Sequence, residues 1–148
     1  MAFFSGLCSI MLLLWAIGHL LGISSLQALS MDARIAAAVM FVLIGVAHLI
    51  SPRKLVYMIE GMLPFPFSLV IFTGILEILL GVGLLIPAFQ YYAGWGLTIL
   101  LIAMFPANIR VAVKKLPAPG GLPAKPWYTW SRLLFQPLYI WWIWWAIY

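Results

Sequence analysis

Charge is the scarcest property of this chain. Of its 148 residues only 7% are charged and three are acidic, whereas a soluble domain carries roughly a quarter charged residues. That scarcity excludes an ordinary water-soluble domain. There is a single cysteine, Cys8, so no intrachain disulfide can form and Cys-x-x-Cys redox chemistry is excluded. Ser5, Gly6, Leu7 and Cys8 look like a lipoprotein box only superficially. The basic and apolar regions that should precede the cysteine are missing, and Cys8 reads as a small apolar filler. The N-terminus also lacks the positive start of a secretory signal, so the first segment is expected to stay in the chain. His19 and His48 are the only histidines, and no Cys/His cluster suggests a zinc or iron–sulfur site. The depths expected for the two differ by about 15 Å, from a rise of ~1.5 Å per residue, which argues against a bis-histidine haem. No metal and no intrinsic cofactor are expected.

What the chain does have is apolar length. It is 66% hydrophobic, with a mean hydropathy of +1.15, and reads as an integral all-α membrane protein. Hydrophobic segments cover 7–26, 34–50, 67–86, 92–113 and 130–148, each near the ~20 residues that a spanning helix needs. They must be helices, because open sheet edges cannot be satisfied in lipid. In the first connector Asp32 is expected to cap the second helix. In the second, Ser51-Pro52 starts a short amphipathic helix on the membrane surface, with Leu55, Met58, Ile59 and Met62 opposite Arg53, Lys54 and Glu60. The fourth connector, 114–125, is rich in Pro and Gly and reads as a loop.

The net charge of +5 sits beside the hydrophobic segments. It therefore reads as a topology signal and as contact with membrane lipids, with no nucleic-acid surface. Arg53, Lys54, Lys114, Lys115 and Lys125 fall in connectors two and four, which five spans bring to one side. The positive-inside rule makes that side cytoplasmic, with the N-terminus inside and the C-terminus outside.

Glu77 stands alone in the run FSLVIFTGILEILLGVGLLIP. A carboxylate at that depth is costly and needs a partner or a proton. The candidates are His48, Arg132, Asn108, Gln136 and His19. On helical spacing Gly74, Glu77 and Gly81 share one face, so a neighbouring helix can approach beside the carboxylate. Arg132, Gln136 and Tyr139 align on the fifth segment, and Phe41, Gly45 and His48 on the second. Asn108 follows Pro106, which frees the Ile102 carbonyl within the fourth. The expected site is a polar pocket of Glu77, His48, Asn108, Arg132 and Gln136 opening from the cytoplasmic half. The plainer reading of each residue stands beside this. Glu77 pairs structurally with Arg132, or Arg132 snorkels to the surface; His48 caps a helix end; Asn108 and Gln136 bond between helices; His19 packs in the core. The tryptophans of 140–145 read as a lipid-facing belt.

Several of these stretches resemble the DoxX family of small bacterial membrane proteins: GVAHLISP at 45–52, LPFP at 63–66, TGILEILLGVGLLIP at 73–87, AGWG at 93–96, FPANI at 105–109, and Arg132 with Gln136-Pro137. The resemblance runs from Arg34 to the C-terminus, with Leu49 where an aromatic would be expected. It implies a four-helix domain over 34–148, to which 1–33 adds a further transmembrane helix. It also implies a bacterial inner-membrane protein associated with quinone-linked redox, thiol-stress or detoxification systems, working beside other membrane or redox subunits. The expected function is binding of a small amphipathic ligand, with quinone as the candidate, in support of chemistry supplied elsewhere. The chain is not expected to be an autonomous enzyme. The alternative is a structural or assembly subunit of a larger membrane complex. A lipid or small-molecule carrier is weaker, because no inverted repeat or paired broken helices are apparent.

Overall fold

The computed structural model describes residues 2–26, 28–117 and 125–148. Most of the expected loop at 114–125 therefore lies outside the described residues. Among the described residues there is no strand. The helices are α1 (Ala2–Leu21), α2 (Leu29–Ile50), α3 (Pro66–Gly83), α4 (Gln90–Val113) and α5 (Pro126–Ile147). Of these, α1 to α4 are long and apolar enough to cross a membrane.

The helix ends have local causes. α1 stops five residues before the expected boundary, because Gly22 takes a φ of 67°. That left-handed conformation suits glycine just past a helix end. α3 and α5 each open with a proline in the first turn, where its missing N–H costs nothing. Asp32 does not cap α2, contrary to expectation. The helix begins at Leu29 with Ala28 at its N-cap, and the Asp32 amide donates to the Ala28 carbonyl. Asp32 is thus inside the first turn and fully buried, and neither carboxylate oxygen has a hydrogen-bond partner among the described residues.

The expected amphipathic helix after Ser51 is also corrected. It forms two short 3-10 turns, Pro52–Lys54 and Val56–Met58. The backbone closes tight turns there instead, with the Leu55 amide donating to the Pro52 carbonyl and the Ile59 amide to the Val56 carbonyl, and Pro64 and Pro66 cannot continue a helix ladder.

α2 is the central element. It packs most extensively on α3, and also on α1 and α5. Gly45, Gly74 and Gly81 set the α2–α3 distance. A β-carbon on Gly45 would stand 2.5 Å from the Gly74 carbonyl oxygen, and one on Gly74 would stand 2.7 Å from the His48 β-carbon. Only glycine allows this approach.

The two ends of the bundle are built differently. The core is formed by Ala33, Ala36, Ala37, Ala38 and Phe41 of α2 with Leu84, Ala93, Leu97, Leu101, Trp142, Ile143 and Ala146. These residues lie toward the α2 N-terminus, and there the Trp142 indole donates to the Ala33 carbonyl at 3.1 Å. Toward the other end the same helices separate around a cavity of about 1290 Å³. Connectors two and four meet at that hollow end, where the Tyr57 hydroxyl donates to the Pro117 carbonyl and Arg110 to the Glu60 carbonyl.

Candidate functional site

Glu77 lies in the buried stripe of α3, with Val70, Gly74 and Gly81. It is 1% exposed, and its Oε2 stands 2.7 Å from His48 Nδ1. Gly74 makes this meeting geometrically accessible, since any side chain there would occupy the space of the His48 β-carbon. Neither atom is aligned for a straight hydrogen bond, and neither has another such partner among the described residues. The contact is therefore a charge pairing, complete when the imidazole is protonated. Arg132, offered by the sequence as the structural mate of Glu77, does not meet it. A rise of one turn on α2 and the glycine contact bring His48 to the carboxylate first, whereas α5 packs against α2 and α4.

Arg132 belongs to a second constellation. Its Nη2 donates to Asn108 Oδ1 at 3.1 Å, and Asn108 Nδ2 donates to Gln136 Oε1 at 3.0 Å. Gln136, buried, then donates to the Leu101 carbonyl. Pro106 lies within α4 and has no N–H for the Ile102 carbonyl, and the carbonyl that receives the Gln136 donor is its neighbour Leu101. This chain of bonds ties α4 to α5 and turns the guanidinium inward.

Glu77, His48, Asn108, Arg132 and Gln136 all line the cavity of about 1290 Å³ at the hollow end. His19 does not. It is exposed in the last turn of α1, with Nδ1 3.0 Å from the Trp15 carbonyl oxygen. The cavity wall is otherwise mainly apolar, drawn from α2, α3 and α4 with Phe3 of α1. Leu55, Met58, Ile59 and Met62, expected to face lipid, line it too. They roof the cavity, because the 3-10 turns fold back over the gap between α3 and α4.

Further polar residues in the lining, Ser51, Lys54, Thr73 and Tyr128, were not assigned to the site by the sequence reading. Tyr128 precedes Arg132 by one helical turn, so the 128, 132, 136 and 139 stripe carried the signal. Lys54 had no such signal, since its position depends on how the connector folds over the bundle. Beside the site, burial pushes the Tyr57 phenol up, an effect the Arg132 charge partly opposes. Among the described residues, no three His, Cys, Asp or Glu stand close enough together to hold a metal ion.

Comparison with protein-family models matches residues 37–147 to a domain of unknown function, DUF8561. The match begins within α2 and runs to the end of α5, leaving α1 outside. It overturns the DoxX resemblance: short apolar motifs of Gly, Pro and Leu recur in unrelated membrane helices, and the model matched over residues 37–147 is that of another family. No curated protein and no solved structure matches.

Proposed function

Since the chain belongs to the DUF8561 family, whose members' role its description leaves open, we propose a function from its own geometry. The protein is a membrane-embedded receptor for a small amphipathic ligand, whose polar head meets Glu77, His48, Asn108, Arg132 and Gln136. The observation that carries this is that these five residues, on four helices, converge on one mainly apolar cavity. Largely apolar cavities with a few convergent polar groups are the usual form of ligand sites. The His48–Glu77 pair can hold a proton at the imidazole or pass it to a head-group oxygen. A quinone is one head group of this kind, and the chemistry done on it would come from other components.

In this reading α5 is a fifth span. Its 22 residues cover about 33 Å at ~1.5 Å per residue, enough for a bilayer core. Its Trp and Tyr lower its hydropathy, but such residues suit the lipid–water boundary. The hollow end carries Arg53, Lys54, Lys114, Lys115 and Lys125, which the positive-inside rule assigns to the cytoplasm. The glycine faces that would have suited an assembly partner are already used between α2 and α3, which favours the ligand reading over the assembly one.

The test is native mass spectrometry of the mildly solubilised protein and of Glu77→Gln. The wild type is expected to carry a small amphipathic adduct that the variant loses while keeping its helical circular dichroism. An adduct retained at equal occupancy on the variant would remove Glu77 from the site. Bound subunits in place of any small molecule would support the assembly reading.

A further inference from the structure

We propose that the ligand is an anionic amphiphile, its carboxylate or phosphate head held by Arg132 and its hydrocarbon tail lying between α3 and α4. This rests on the ligand-pocket reading above and names the class of ligand.

The first argument is charge. The chain has three acidic side chains, and among the described residues none forms an ion pair with Arg132. Glu77 is engaged by His48, Glu60 is exposed in the second connector, and Asp32 lies in the first turn of α2 at the opposite end. Arg132 is therefore a half-buried cation with no counter-ion, facing an apolar chamber. A charge so placed is costly, and an incoming anion removes the cost. Asn108 takes up Nη2 alone. The guanidinium thus keeps donors for the bidentate grip that suits carboxylate and phosphate. Lys54 adds a second cation at the rim of the same cavity.

The second argument is shape. Phe72 of α3 and Ile99 of α4 line the cavity, yet they are 56% and 61% exposed. The chamber consequently opens sideways between α3 and α4, on the apolar flank that faces lipid. A tail can enter there while the head stays with Arg132. A neutral quinone would use the tail path but leave the Arg132 charge uncompensated.

The experiment is binding of oleate, oleyl alcohol and decylubiquinone to the full-length protein in non-ionic detergent, read by native mass spectrometry. Oleate and oleyl alcohol share a tail and differ in charge. Oleate is expected to bind about tenfold or more tightly than the other two, the value of a charge-assisted contact. Arg132→Gln should remove that preference, with oleate falling to the affinity of oleyl alcohol, and Arg132→Lys should retain part of it. Thr73→Trp, which puts a bulky ring into the cavity from α3 and leaves the Arg132 charge in place, should weaken oleate and oleyl alcohol alike.

Equal affinities for oleate and oleyl alcohol on the wild type overturn the anionic assignment and leave the amphiphile pocket standing. Binding of both unmoved by Thr73→Trp means lipid held on the outer surface, and overturns the pocket reading as well. Should Arg132→Gln not accumulate, the wild-type preference for oleate and the equal weakening of both ligands in Thr73→Trp decide the matter.

Discussion

Glu77 and His48 form a pair that neither can leave cheaply. With Glu77 1% exposed and Oε2 2.7 Å from the imidazole, removing one member strands the other in a medium that cannot solvate it. Truncating one partner of a buried ion pair typically costs about 3–5 kcal/mol, while removing both costs far less. His48→Phe alone is therefore expected to lower stability by about that amount, and His48→Phe with Glu77→Gln to recover much of it. Thermal melts of the four proteins in one detergent give the coupling. The same cycle between Glu77 and Arg132 should show weaker coupling, because Arg132 bonds to Asn108 instead. Equal coupling in the two cycles would contradict the pairing described. The sequence singled out Glu77, His48, Asn108, Arg132 and Gln136, which the fold brings to one cavity, since a polar side chain in an apolar run is conspicuous. The choice of His48 over Arg132 was beyond it, because pairing depends on which helix lies against which.

At the level of the helix, α2 and α3 cross with backbone nearly touching backbone. Gly74→Ala would put a methyl group 2.7 Å from the His48 β-carbon and 2.9 Å from the Gly45 carbonyl oxygen. The helices must then separate, at about 1–3 kcal/mol for overpacking. The variant should also lose ligand, because separation draws His48 away from Glu77. A lowered melting temperature with ligand occupancy unchanged would mean that the site tolerates the shift. The small-residue face of α3 was legible as a period in the sequence. The connector after Ser51 was not, although its apolar residues were correctly chosen. Their spacing suits a helix face, but the prolines that follow and the open gap between α3 and α4 turned that face onto the cavity.

Over the whole molecule, one half of the bundle is filled and the other is hollow. Leu97 is fully buried in the filled half, while Leu76 borders the cavity. Leu97→Ala is expected to cost about 2–5 kcal/mol, as deletions in a packed core do. Leu76→Ala should cost less than half as much, since one side of Leu76 has few atoms to lose. Denaturation of both variants in one detergent compares them, and equal losses would mean that the hollow half is packed after all. The filled half fixes the helix positions, and the hollow half can then hold polar groups without the strain of close packing.

An all-α membrane protein, its apolar segments and an intramembrane carboxylate in need of a mate all follow from the sequence alone. Lipid admits only closed hydrogen-bond ladders, and isolated polar residues are conspicuous within apolar runs. The tertiary structure decided that His48 is the mate, that Arg132 is left without a counter-ion, and that the 3-10 turns roof a chamber instead of resting on lipid. These outcomes depend on distances between helices, which Gly45 and Gly74 set through contacts that no pattern along a single segment encodes.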